Sequence, residues 1–327
     1  MDSVAQFNDN ERRDLFAKAA EQLRMKPAIV EKDFWVCWTL DALFSSPRWR
    51  NALIFKGGTS LSKAFHIINR FSEDIDLILD WGQLGITGDQ PWEQRSNTGQ
   101  EKFCKNINNK AAAYLADEFV PSFSTELAEK LGQGIPVSAD GEIVTVAYPR
   151  AFSLGYVQPV LSLEIGPLAE WIPHATFEIT PLAAEKLPEL FSRKSAKVVT
   201  ILAKRTFWEK ATILHQQAMS GMSSSRYSRH YYDLAMLSRH PVKDEAMAEI
   251  GLLKAVVTFK QRFYRSPKAH YELAAPGTFR LIPSKEQVAA LAQDYEKMKE
   301  MLFGAPPSFG WIIEALRALE DEINRLG

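Results

Sequence analysis

Cysteine is nearly absent from this 327-residue chain: Cys37 and Cys104 are the only two, and neither sits in a CxxC or Cys/His spacing. That excludes a disulfide framework or a structural zinc site, and a reducing compartment is the default. The six histidines form no HxxxH or HExxH pair, so a histidine-built metal site is excluded as well. Long apolar runs are missing too. None approaches the ~20 residues of a membrane helix, and the opening MDSVAQFNDNERRDLF is polar and charged, unlike a usual secretory signal. A cytoplasmic location with no membrane partner is the expectation. No internal repeat, low-complexity tract or flexible linker interrupts the chain, and 17 glycines and 17 prolines are too few for a fibrous or disordered composition.

What is present is enough apolar material, 46% of residues, for one large or two modest hydrophobic cores. The net charge of −1 is unevenly spread. Between Lys186 and Arg280 seventeen Lys/Arg stand against seven Asp/Glu, which leaves −11 for the remainder. A basic later half suits an anionic partner such as a triphosphate or a nucleic acid, or it is simply a basic helical surface.

Local patterns organise the chain. Asn8 or Asn10 caps a helix running to Met25, and Pro27 opens a second helix, AIVEKDFWVCWTLDALF, rich in large apolar groups and expected to be buried. A strand at Ala52–Phe55, the Gly57-Gly58 pair and a helix from about Ser60 to Ile68 follow. Strands are expected at Asp74–Leu79, Glu142–Tyr148, Gln158–Ile165, Ala175–Ile179 and Lys197–Leu202, with a helix from about Thr98 to Phe119. Beyond Lys204 the pattern is helical almost to the end, with breaks that include Ser220–Ser225. The fold class is therefore α/β (α+β): a mixed α/β lobe over residues 1–200 and a helical C-terminal lobe over 201–327.

Three short segments carry candidate chemistry. In Phe55-Lys56-Gly57-Gly58-Thr59-Ser60 a strand passes through two glycines into a helix. Such a turn lets the backbone approach a ligand and aims unpaired N–H groups outward, which suits phosphate, with the hydroxyls of Thr59 and Ser60 adding donors. In Ser72-Glu73-Asp74-Ile75-Asp76-Leu77, residues two apart on a strand share a face, so Asp74 and Asp76 point together while Ile75 and Leu77 face the core. Two neighbouring carboxylates repel unless a hard cation such as Mg²⁺ bridges them; alone, the pair also reads as a solvated strand face. In Val160-Leu161-Ser162-Leu163-Glu164-Ile165, Glu164 is the one acid in a run fit for a buried strand, where an unpaired carboxylate is costly. If the two strands are neighbours, three carboxylates converge and can hold two metal ions for in-line displacement at phosphorus. Arg70 and Ser72, just before the acidic strand, are candidates for steadying phosphates.

Order and spacing make the pattern specific. KGGTSLSKAFHIINRFSEDIDLIL closely resembles the signature of the AbiEii/AbiGii-type nucleotidyltransferase toxins, a group that includes the MenT toxins. The resemblance implies the DNA polymerase β-like superfamily, a nucleotidyltransferase-type mixed sheet flanked by helices, and a role in bacterial toxin–antitoxin or abortive-infection systems. It implies nucleotide transfer from an NTP, with GTP or CTP as candidates and a tRNA 3′ end as acceptor, and a cognate antitoxin as partner. Two later segments extend it: Arg205–His215, where Lys210 matches the family's lysine and would contact the triphosphate, and Arg226–Leu234, where Asp233 would complete the site, orienting Lys210 or acting near the acceptor. Many relatives carry an acid where this chain has His230. The segments that match run from about Glu31 (EKDFWV) to Leu237.

By this reading Gly57, Gly58, Thr59 and Ser60 take the triphosphate, Asp74, Asp76 and Glu164 take Mg²⁺, and Asp76 or Glu164 accepts the proton of the attacking hydroxyl. Two rival functions share the site residues: transfer to a small molecule or a protein hydroxyl, and NTP binding without catalysis.

Overall fold

A computed structural model describes residues 1–152, 160–221 and 226–326. By its contacts the chain divides into two units. Unit 1 comprises Met1–Ala64 and Glu73–Ile201; unit 2 comprises Phe65–Ser72 and Leu202–Gly327. Phe65–Ser72 thus belongs with the later part of the chain, a detail that a single cut after residue 200 does not express.

Unit 1 begins with three helices, α1 (Asp2–Ala5), α2 (Asp9–Leu23) and α3 (Pro27–Ser45). The cap of α2 is Asn8: its Oδ1 accepts from the amides of Asn10 and Glu11 at 3.0 Å each, and Glu11 Oε2 accepts from the Asn8 amide at 2.9 Å. Pro27 at the first turn of α3 forfeits an amide that has no intrahelical partner there. α3 is buried from Ala28 to Phe44, including Glu31, Lys32, Asp33 and Asp41. Burial of four charges in a central helix requires partners for each.

The strands are β1 (Leu53–Lys56), β2 (Asp74–Leu79), β3 (Val137–Asp140), β4 (Ile143–Val146), β5 (Leu161–Gly166), β6 (His174–Ile179) and β7 (Ala196–Ile201). Helix α4 (Gly57–Lys63) follows β1, α5 (Asn97–Tyr114) and α6 (Val120–Leu131) lie between β2 and β3, and α7 (Leu182–Lys186) precedes β7. The sheet order is β3-β4-β5-β2-β1-β7-β6. Pairing is mixed: β2 runs parallel to β5 and β1 parallel to β7, while the other neighbours are antiparallel.

Alternation sorts the sheet into two faces. Leu53, Phe55, Ile75, Leu77, Leu79, Leu161, Leu163 and Ile165 enter the main core with Phe34, Trp35 and Trp38 of α3. On the other face Ile54, Ile78 and Ile201 form a small separate cluster.

Several expectations need adjustment. The helix expected from Ser60 to Ile68 occupies Gly57–Lys63. β5 is described from Leu161; residues 158 and 159 of the expected strand lie outside the described residues, as do residues 222–225 of the expected break. The helix expected to stop at Phe119 continues, after a wide turn at Leu115–Phe119, through α6, because Pro121 falls at the first turn of a new helix. β3 had no counterpart in the expectations.

Unit 2 is helical: α8 (Ala203–Ser220), α9 (Ser228–Leu237), α10 (Val242–Ala248), α11 (Ile250–Phe263), α12 (Lys285–Met298) and α13 (Phe309–Asn324). Phe65–Ser72 is tied into it by backbone hydrogen bonds, Phe71 N to Met301 O at 2.7 Å and Phe303 N to Asn69 O at 2.8 Å. Among the described residues no helix is long and apolar enough to cross a membrane. Cys37 and Cys104 are both free thiols.

Candidate active site

The register of β2 against its neighbours builds the site in unit 1. Asp76 pairs with Glu164 on the parallel strand β5 and with Lys56 on the antiparallel strand β1, while Asp74 pairs with Ser162. In-register residues on adjacent strands lie about 4.8 Å apart, and alternate residues along one strand about 6.6 Å apart on the same face. Asp74, Asp76 and Glu164 therefore share one face, opposite Ile75, Leu77, Leu163 and Ile165, which are fully buried. Asp74 and Asp76 are half-buried and Glu164 is exposed. The expectation of a buried strand acid is corrected here: β5 is buried on its core face only, and Glu164 projects from the other.

Among the described residues no three His, Cys, Asp or Glu side chains are gathered closely enough to hold a metal ion as they stand. The donor set nonetheless suits a hard divalent cation. All donors are carboxylate oxygens on one face of the sheet, the donor type that a hard cation prefers. A fourth carboxylate, missed in the sequence, lies on this face. A Cβ built on Gly166 would stand 3.0 Å from Glu142 Oε2, and Gly166 is in register with Ile78 of the same face. Glu142 Oε1 is buried without a hydrogen-bond partner among the described residues. Burial raises the pKa of this carboxyl above its ordinary value, while Lys56 opposes that shift. Its position beside the Asp140-Gly141 hairpin turn was the available signal.

Gly57 is required where it stands. Its φ is +84°, and a Cβ there would collide with the Asp76 carboxylate, so the turn brings backbone directly against that group. Gly57→Ala is expected to lower the stability of unit 1 by about 1–3 kcal/mol, from left-handed strain plus displacement of the Asp76 carboxylate; urea unfolding of the purified variant checks this. Thr59 and Ser60 do not present their hydroxyls outward. Both are buried; Thr59 Oγ1 donates to the Asp74 carbonyl at 2.5 Å and Ser60 Oγ to the Gly57 carbonyl at 2.8 Å. These hydroxyls fasten the glycine turn to β2.

In unit 2 the remaining candidates form a second cluster. Asp233, fully buried, accepts from Arg70 Nε at 2.7 Å and Nη2 at 2.9 Å, and lies 2.9 Å from Lys210 Nζ. Arg70, expected to steady phosphate, is thus engaged by a forked pair with a carboxylate. Lys210 Nζ also lies 3.1 Å from His230 Nδ1, an arrangement in which a neutral imidazole accepts from the ammonium. Burial pushes Asp233 toward the neutral acid, but Arg70 and then Lys210 outweigh it and hold the carboxyl far below its usual range. Burial lowers Lys210 despite the opposing Asp233. Ser72 is half-buried and also belongs to unit 2.

Burial, followed by the Lys210 ammonium, holds His230 well below its ordinary 6.5. The unfolded chain then takes up a proton that the folded protein refuses, so stability declines as pH falls below 6.5. This group contributes a slope of up to about 1.4 kcal/mol per pH unit. His230→Gln is expected to flatten the stability profile between pH 6.5 and 5, measured by denaturant titration at each pH.

Comparison with known proteins yields two findings. A family model described as "Nucleotidyl transferase AbiEii toxin, Type IV TA system" matches residues 38–315. Among solved structures, MenT4, nucleotidyltransferase toxin Rv2826c from Mycobacterium tuberculosis H37Rv, is similar at a TM-score of 0.43 and 16% identity, covering 95% of this chain and 97% of that one. No curated protein matches.

Proposed function

The chain belongs to the AbiEii nucleotidyl transferase toxin family of type IV toxin–antitoxin systems, and on that premise we propose that it moves a nucleotide from an NTP to an RNA acceptor, with Asp74, Asp76 and Glu164 as the Mg²⁺-binding carboxylates. The observation that carries this reading is the register of Asp76 against Glu164, on the face shared with Asp74 and directly beside the Gly57 turn. Nucleotidyltransferases work with an NTP and a divalent cation, and a cation bound here would supply charge neutralisation for the phosphates and acidify the attacking hydroxyl.

The protein's own residues have separable tasks in this proposal. Gly57 and Gly58 bring backbone N–H groups to the triphosphate, with Thr59 and Ser60 fixing that turn from within. Asp76 or Glu164 accepts the proton of the acceptor hydroxyl. Lys210 and Arg70, both buried and committed to Asp233 within unit 2, are given no role at the triphosphate. Positioning and charge neutralisation dominate such chemistry.

An RNA acceptor is favoured by the surface of unit 2. Lys254, Arg265, Lys268 and Arg280 are exposed, and Tyr264, next to Arg265 in the chain and 51% exposed, is available as a stacking group. The test is incubation of the protein with α-labelled GTP or CTP, separately, in the presence of total tRNA, total protein or an aminoglycoside. Label is expected in tRNA; label in protein or the small molecule alone would replace this reading with its rival. Arg265→Ala/Lys268→Ala is expected to weaken tRNA binding and make its salt dependence shallower, by about 0.7 in log–log slope for each phosphate no longer neutralised. An unchanged slope in filter binding would remove this surface from the acceptor site.

A further inference from the structure

Charged residues buried in the middle of an apolar helix mark a function for their partners. In α3 three consecutive ones, Glu31, Lys32 and Asp33, are 0%, 1% and 6% exposed. Each reaches a different segment of unit 1. Glu31 accepts from the amides of Ala151 and Phe152 at 2.5 and 3.0 Å. Lys32 Nζ donates to Glu73 Oε2 at 2.8 Å, and Glu73 immediately precedes Asp74. Asp33 Oδ1 accepts from Lys63 Nζ at 2.8 Å, and its Oδ2 accepts from the Leu182 amide at 2.7 Å. Lys63 is the last residue of α4, the helix that the glycine pair opens.

From these contacts we infer that Lys32 and Asp33 are positioning residues: α3 acts as the frame that holds the acidic strand and the glycine turn in fixed relation. Lys32 anchors the entry to β2 through Glu73, and Asp33 anchors the far end of α4 through Lys63. Thr59 Oγ1, donating to the Asp74 carbonyl at 2.5 Å, closes the loop between the two anchored elements. The path from Lys32 through Glu73, Asp74, Thr59, α4, Lys63 and Asp33 returns to the neighbouring residue of the same helix. A closed circuit of this kind fixes carboxylates and turn more narrowly than either strand pairing or packing alone. Ion pairs so deeply buried give little net stability against well-packed apolar replacements, so geometry is the more economical reason for them. Burial alone would lower the Lys63 ammonium, and Asp33 reverses that shift to a net rise, which keeps this anchor charged.

This inference rests on the proposed use of Asp74 and the glycine turn, and its test separates the two. Lys32→Met/Glu73→Met and Asp33→Asn/Lys63→Met remove each ion pair with groups of similar size, and the amide oxygen at position 33 still accepts from the Leu182 amide. Two readouts apply to the full chain: the thermal midpoint with amide hydrogen exchange, and the affinity for Mn²⁺·GTP and Mn²⁺·CTP. The expected result is a thermal midpoint near wild type, faster exchange confined to residues 73–79 in the first variant and 57–63 in the second, and nucleotide binding weakened at least tenfold in both. A merely structural role makes the opposite demand: replacement restores packing, exchange in both segments stays at the wild-type rate, and the inference is overturned. If wild type binds neither Mn²⁺·GTP nor Mn²⁺·CTP, the nucleotidyl-transfer proposal fails, while the exchange readout still decides whether α3 frames these segments.

Discussion

Asp74→Asn and Asp76→Asn are each expected to cut nucleotide transfer by about 10²- to 10³-fold or more while leaving the thermal midpoint near that of wild type. The loss follows from replacing a charged oxygen donor by a neutral amide where charge stabilisation does most of the catalytic work. Retained stability follows from the same geometry. Ile75 and Leu77, fully buried, hold β2 in the sheet, and an amide of the same shape replaces a side chain that is only half-buried on the other face. Single-turnover incorporation of α-labelled GTP, run beside a thermal melt, reads both quantities. Parallel loss of activity and stability would mean that the aspartates serve the fold.

The second large effect lies in unit 2. Asp233→Ala is expected to destabilise that unit by about 3–5 kcal/mol, because Arg70 and Lys210, 5% and 7% exposed, would be left as buried cations without their shared carboxylate. Denaturant titration followed by tryptophan fluorescence, with Trp208 fully buried in the same unit, measures it. The pH dependence has a definite sign. The Asp233 carboxyl is depressed in the folded state, so its contribution is fully present above its ordinary value of 3.8 and is lost only as pH falls through the lower folded value. His230 acts earlier, from pH 6.5 downward. Acid unfolding should therefore begin with the histidine and finish with the aspartate, and Asp233→Ala should abolish only the later part.

Much of this architecture was legible because local patterns decide it. β1, β2, β6 and β7 fall within a residue or so of their expected positions, since alternation or a short apolar run bounded by turn residues is a strong signal. The common face of Asp74 and Asp76 followed from strand periodicity alone. The elements that escaped did so for physical reasons. β3, Val137–Asp140, is a polar edge strand with no buried residue, and its one cue, the Asp140-Gly141 turn with Gly141 at φ +59°, speaks for a hairpin that the flanking residues do not advertise. α6 was hidden by Pro121, which reads as a stop although it opens a helix whose stripe is Phe123, Leu127 and Leu131.

Partners far away in sequence were the other blind spot. Arg70 looked available for phosphate because its carboxylate stands 163 positions later. The charges of α3 gave no hint of their use, since Glu73 and Lys63 lie 41 and 30 residues away. Glu164 is the reverse case: its neighbours suggested full burial, but β5 is fully buried on its core face only, and which side an alternating strand exposes depends on the layers packed against it.

The most direct test is electron paramagnetic resonance of Mn²⁺ titrated into the protein with a non-hydrolysable GTP analogue, comparing wild type with Asp74→Asn/Asp76→Asn. One or two tightly held ions are expected in wild type and none in the double variant. Equal Mn²⁺ binding by the two proteins would contradict the assignment of these aspartates as the metal-binding pair.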